Sequence, residues 1–303
     1  MSIITRINQL FSSPEPSGSL GVCLQQQALT FCSLEESQAA EFYRSEVIEN
    51  QYVTAFSQSK DKINLAGQCH IVLSAKQNQL VQVDKPKVPP EEINAAIKWQ
   101  IKDLVSIAPD DMIVDYYDRP EMSAGVEKIN VVCAAKSELL PLVEKIHKDH
   151  RPIKTITVEE FAFASLCPIE DEARLIVCQQ PNEEILLIIV KNRELYFQRR
   201  LRGMATIASK SEDELSMGII DSLSLEIQRS TDYFERQLKQ SPIKDIQVIV
   251  PMDNELLLVE KLAANTHIPV HLMSLPVENA QQRQYAAAFG ATQLSRMEKC
   301  YDE

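Results

Sequence analysis

Glycine is scarce in this chain: seven residues in 303, where average usage is roughly 7%. Glycine lets a backbone turn tightly and bring its N–H groups against a phosphate, so phosphate-binding loops draw on it at fixed places. No GxxxxGK[ST] run occurs anywhere, which excludes a P-loop. No apolar run approaches the roughly 18 residues that span a bilayer, so no membrane-crossing helix is expected. No serine is framed as GxSxG and no cysteine neighbours a plausible base, so no signature of nucleophilic catalysis is present. Positive charge is also short. The 31 Lys and Arg against 43 Asp and Glu leave a net charge of −12, which argues against a nucleic-acid partner. The seven cysteines are odd in number, contain no CxxC, and mostly fall in apolar strand-like runs, as reduced core residues of a cytosolic protein do.

What is present points to two lobes, since 303 residues exceed one domain of roughly 100 to 200. The stretch at 172–203 organises the rest. Its three β-rich runs, 175–178, 185–190 and 195–199, are separated by turn chemistry at Pro181-Asn182 and at Asn192, which is the pattern of a β-meander.

Upstream, Ile3, Ile4, Ile7, Leu10 and Phe11 lie at helical spacing and are followed by a linker. This is either a terminus docked on the body or an interfacial anchor, although Arg6 is its only basic residue. A hairpin is expected around Gln25–Gln27, with further strand-like runs at 52–56, 70–74 and 80–83. Pro89-Pro90-Glu91-Glu92 starts a helix whose inward stripe is Ile93, Ala96, Ile97, Ile101, Leu104 and Val105. Trp99, the only tryptophan, lies off that stripe and either packs on a second surface or waits for a partner. Strands at 112–117 and 128–135 and a helix at 138–150, capped by Ser137, complete a compact block. A strand at 153–158 and a helix at 159–166 resume the first lobe. After the meander come a helix over 212–239, about 40 Å long at 1.5 Å per residue, and a strand at 246–251. Asp253 is expected to cap a helix at 254–265, which leads to a strand at 269–273. The closing helix at 278–294 is rich in small residues around Gly290, as tight packing on a sheet requires. Strands alternating with helices specify α/β lobes.

Other constellations have plain readings. His147 with His150, and His267 with His271, lack a third ligand nearby and are expected to be surface residues. Glu91-Glu92, Asp110-Asp111, Glu159-Glu160 and Glu183-Glu184 sit at predicted helix starts and turns, where capping and solvation account for them. The run Arg199-Arg200-Leu201-Arg202 is either a solvated strand edge that discourages pairing or a contact for an acidic partner or anionic lipid.

Residues 83–117, VDKPKVPPEEINAAIKWQIKDLVSIAPDDMIVDYY, together with LEIQRSTDYFERQL at 225–238 and the closing AAAFGATQL, resemble the PilM-like proteins of type IV pilus assembly over roughly residues 20 to 294. The resemblance implies an actin-like, FtsA-related two-lobed α/β fold with an inserted 1C-like subdomain. Its parts would be an N-terminal segment and linker (1–19), lobe 1A (20–85 and 151–168), the insertion (86–150) and lobe 2 (169–303). It also implies a cytoplasmic protein at the inner membrane face. Such a protein would bind the cytoplasmic N-terminal peptide of a PilN-like bitopic protein in a cleft beside the insertion, where Trp99 and Tyr117 are the candidate contacts. A GspL-like cytoplasmic domain of type II secretion shares that fold and role but normally continues into a transmembrane helix, and none follows before Glu303.

Many members of the family bind ATP, and here the sequence departs from the pattern. The family's first phosphate motif falls on residues 21–30 and puts Cys23 where an acid would hold a magnesium shell. The second motif, Asp-x-Gly, falls on Gln179-Gln180-Pro181, and proline offers no N–H and no positive φ. A Gly-Gly on the same segment reads Met204-Ala205, and the Gly-Gly of the adenine-side turn reads Met252-Asp253. The expectation is a non-enzymatic adaptor with no cofactor or metal. The alternative is a divergent ATPase with unrecognised ligands.

Overall fold

The computed structural model describes residues 18–35, 39–118, 127–275 and 280–301. The amphipathic segment 1–11 and most of the following linker lie outside the described residues. Two five-stranded sheets share one plan. The first contains β1 (Ser19–Leu24), β2 (Ala28–Leu34), β3 (Glu41–Glu46), β4 (Gln68–Leu73) and β8 (Ile153–Val158) in the order β3-β2-β1-β4-β8. The second contains β9 (Arg174–Cys178), β10 (Ile185–Lys191), β11 (Glu194–Leu201), β12 (Asp245–Ile249) and β13 (Val270–Leu272) in the order β11-β10-β9-β12-β13. Each is an antiparallel meander extended by two parallel strands. The repetition places the turn after β1 and the turn after β9 at equivalent corners of the two lobes.

A third, antiparallel sheet of β5 (Gln79–Asp84), β6 (Met112–Asp118) and β7 (Lys128–Ala135) interrupts the first lobe. The helix α2 (Ile93–Ile101) covers it, with Ile93, Ile97 and Ile101 buried on Val83, Met112, Val114, Ile129, Val131 and Cys133. The proline-led start is as the sequence predicts, and Ile93, Ile97 and Ile101 of the expected stripe face inward, but the helix ends at Ile101 and Leu104, expected on the same stripe, is 59% exposed. The boundaries of the insertion differ at both ends. β5 pairs with β7 and so belongs to the third sheet, while α3 (Lys136–Lys148) buries Leu139, Leu142 and Ile146 in the core of the first lobe.

Residues 52–56, expected as strand, instead begin the helix α1 (Tyr52–Ser59), because the residues it buries, Tyr52, Ala55, Phe56 and Ser59, are spaced by three and four. The half-exposed, polar-looking β3 carries no sequence signal of its own. Ser137 does not cap α3: its N–H and hydroxyl both donate to Asp111. Asp253 does not cap α6 (Glu255–Asn265) either, since the residue in that place is Asn254 and makes no side-chain cap bond. The expected rod at 212–239 starts in a capping box between Ser211 and Glu214, but it bends where Gly218 takes a φ of 105°. Only α5 (Ile220–Asp232) is regular.

The closing helix α7 (Ala286–Tyr301) lies against β1, β2 and α4 (Glu159–Ala164), so the end of the chain is fastened to the first lobe. Close approach explains its small residues. A Cβ on Gly21 would collide with the backbone carbonyl of Ala288, and one on Gly290 with that of Ala162. Because both obstacles are backbone, Gly21→Ala and Gly290→Ala should each lower stability by about 2 kcal/mol, read as a drop in the urea or thermal unfolding midpoint. An unchanged midpoint for either would contradict this packing.

Candidate functional site

The corner turns of the two lobes meet in the cleft, and side-chain amides join them. The Gln25 side chain donates to Gln180 Oε1 at 2.7 Å and to the Gln284 carbonyl at 2.8 Å. The Gln180 side chain in turn donates to Cys23 Sγ at 3.2 Å. Gln179 fastens its own turn, donating to the carbonyls of Glu183 and Met204. Gln25, Gln179 and Gln180 are each 2% exposed. A phosphate loop presents backbone N–H groups to an open space; here that space is occupied by amide side chains bonded to one another. Behind them an apolar core runs through both lobes. It joins Cys23, Cys32 and Val72 of the first sheet to Ile176, Cys178, Leu186 and Ile188 of the second, together with the α7 alanines.

The structure thus brings Cys23 together with the turn that holds Gln179 and Pro181. Met252 packs into the core of the second lobe, and Asp253 faces solvent. Burial pushes the Cys23 thiol well up, and the charges of Glu159 and Glu183 push it further, so it remains a protonated, inert thiol. Tyr52 closes the floor by donating to the Gln25 carbonyl while accepting from Gln77. Burial and then the charge of Glu183 raise its pKa to about 12.

Glu159, Glu160 and Glu183 are buried rather than solvated, contrary to the sequence expectation. Glu159 and Glu160 open α4 in the first lobe, and Arg200 of β11 reaches across from the second, with guanidinium nitrogen to carboxylate distances of 2.5 Å to Glu159 and 2.7 Å to Glu160. Arg200 is therefore neither a solvated edge residue nor a free contact; it bridges the lobes. Burial pushes both Glu159 and Glu183 above the ordinary carboxylate range, and the nearby Arg200 charge pulls against it. Sequence reasoning missed this cluster because adjacent acids at a helix start usually cap or solvate it. The only sequence hint was the position of the acids directly after a strand of an α/β lobe.

Grooves border the insertion. Where it joins the first lobe, two adjoining hollows of about 360 and 340 Å³ share Lys76, Gln77, Ser137 and Glu138. Leu24, Val53, Leu139 and Leu142 give that channel an apolar wall. A third groove, of about 310 Å³, faces the second lobe and includes Tyr117, Phe197 and Tyr233. Tyr117 packs edge-on against Phe161 with ring centroids 4.9 Å apart. Trp99 lies in none of these grooves and has no second packing surface. It is 70% exposed, with the Lys102 ammonium 5.2 Å from its ring centroid. His147, His150, His267 and His271 are exposed, and no cluster of metal-ligating side chains occurs among the described residues. Among these residues no helix is long and apolar enough to cross a membrane.

No family model and no curated protein matches the chain. Solved structures do. The PilM–PilN type IV pilus biogenesis complex matches with a TM-score of 0.66 at 15% identity, over 91% of this chain and 98% of that one. A Bacteroides thetaiotaomicron protein with an actin-like ATPase fold and unknown function gives 0.52 at 10% identity, over 94% and 98%. The cytoplasmic domain of EpsL, an inner-membrane component of the Vibrio cholerae type II secretion system, gives 0.50 at 13%, over 90% and 94%. The chain has the actin-like fold.

Arg200 offers a test. Arg200→Leu strands two buried carboxylates, which should cost about 3 to 5 kcal/mol at about pH 8. A carboxylate whose folded pKa is raised holds its proton better folded than unfolded, so its contribution to stability falls as pH rises above the ordinary range. The loss should therefore shrink when unfolding is measured at about pH 5, where Glu159 is neutralised more easily. A deficit that does not depend on pH would contradict the bridge.

Proposed function

We propose that this protein is an actin-fold adaptor of a type IV pilus assembly machine, working at the cytoplasmic face of the inner membrane and holding the cytoplasmic N-terminal peptide of a PilN-like membrane protein. The observation that carries the reading is the amide pair Gln25–Gln180 bonded across the cleft, with Gln180 also on Cys23. Glycine and acid are both missing from the positions that would receive a nucleotide and its magnesium, so we read the protein as a binder rather than an enzyme, with no cofactor. The structure of a PilM–PilN complex supports the choice of partner, since a chain of this fold is seen there beside PilN. Within the pilus systems, the segments at 83–117 and 225–238 favour MshI of mannose-sensitive haemagglutinin pilus biogenesis.

The peptide would lie in the channel between the first lobe and the insertion, pairing through its main chain and filling pockets by Val53 and Leu142. Trp99, exposed on α2, and Tyr117 are candidate contacts for parts of the partner beyond that channel.

The rival reading is a divergent ATPase. A ligand at about a hundred times its dissociation constant adds roughly 2.7 kcal/mol, so millimolar Mg-ATP should leave the melting temperature unchanged on our reading and raise it by several degrees on the other. A synthetic peptide matching the N-terminus of a PilN-like protein should bind in a fluorescence anisotropy titration. Thr54→Trp, a substitution at an exposed residue of the channel wall, should weaken binding at least about tenfold, since most of the affinity of such a site rests on a few contacts. Equal affinity for the variant would place the peptide elsewhere.

A further inference from the structure

Among the described residues the strand β11 is the outermost strand of the second sheet, pairing with β10 on one side and with no strand on the other. Two grooves follow its length. The third groove takes in Leu195 to Gln198 together with Tyr117 and Leu80 of the insertion, and a further hollow of about 500 Å³ takes in Arg199 to Arg202 with Met204 and Leu225. Natural proteins usually guard such an edge, because its unpaired backbone groups recruit other strands. Here the edge is left in an open slot with aromatic rings at one end and guanidinium groups at the other.

The charges at that end are specific to it. On a chain of net charge −12, Arg202 is exposed and makes no ion pair among the described residues, while Arg199 and Arg229 share the single carboxylate of Glu226 at 2.8 and 2.6 Å. Positive charge is thus in excess beside the strand. An exposed apolar side chain lies along the same flank, since Leu225, which lines the hollow, is 47% exposed. The insertion walls one end through Leu80, Gln82, Tyr117 and Asn130, an arrangement that suits one added strand at the usual spacing of about 4.8 Å better than the folded lobe of a second copy.

We propose that β11 is a docking edge for an extended acidic peptide. The peptide would add one strand to the second sheet, with an aromatic or aliphatic residue among Tyr117, Phe197 and Tyr233 and with Asp or Glu side chains on Arg199 and Arg202. Main-chain pairing supplies affinity, and the alternate side chains supply selection. The site is separate from the channel between the first lobe and the insertion, and it holds whether or not that channel takes a PilN-like peptide.

The test uses the full chain and two fluorescent eight-residue peptides, one alternating Glu with Phe and Val, the other carrying Lys in place of Glu. The acidic peptide should bind, protect the backbone amides of residues 194–201 from hydrogen exchange, and lose affinity steeply as salt is added. The double variant Arg199→Glu, Arg202→Glu should bind it at least tenfold more weakly with an unchanged melting temperature. Thr54→Trp should leave binding untouched, which separates this site from the channel. Equal binding of the lysine peptide, protection confined to other segments, or no binding at millimolar peptide would overturn the proposal and leave the arginines as guards of the edge. Protection of the same amides without peptide, rising with protein concentration, would assign the edge to a second copy and overturn it equally.

Discussion

The hydrogen bond from Gln25 to Gln180 sets the relation between the two halves of the molecule. Both lobes repeat one sheet order, and the repeat brings two hairpin corners face to face. In a glycine-rich version such corners would stand apart around a ligand; in this chain they touch. A net hydrogen bond contributes only about 1 kcal/mol, so the amides do not hold the lobes together by themselves. The apolar core behind them, with α7 packed between β1 and α4 through Gly21 and Gly290, supplies the cohesion. The amides fix where the two corners meet, since buried polar groups must find partners.

Arg200 adds a second, charged link across the same cleft. A buried ion pair is weak evidence of stability, because desolvation offsets most of the attraction. Its value here lies in direction: the cation that pairs with the two acids at the start of α4 is supplied from the other lobe. An opened cleft would leave Glu159 and Glu160 uncompensated, so the closed arrangement is selected against alternatives. The grooves around the insertion need no cleft motion to form, which suits the proposed peptide binding.

Much of the architecture was legible in the sequence. The meander at 172–203, the proline-led α2 and the small-residue closing helix follow from period, turn chemistry and side-chain size. The misassignments have physical causes. In α1, Tyr52-Val53-Thr54 looks like strand by residue type, yet burial follows helical spacing. β3 is a half-exposed strand with no apolar alternation to announce it. The run of prolines from Pro86 to Pro90 marks a boundary in the sequence, yet β5 before it already belongs to the third sheet. At the site, the sequence marked Cys23, Gln179 and Pro181 as departures from a nucleotide pattern. It could not show that Gln25 and Gln180, 155 residues apart, would bond, nor that Arg200 would turn inward to Glu159, because both depend on how the lobes pack.

The central proposal is that the corners held together by Gln25, Gln180 and Cys23 take no nucleotide between the lobes. Amide hydrogen exchange across residues 178–184 and 23–27, followed with and without saturating Mg-ATP, tests it most directly. The account predicts slow exchange in both segments that nucleotide leaves unchanged. New protection of both segments on adding Mg-ATP would contradict it.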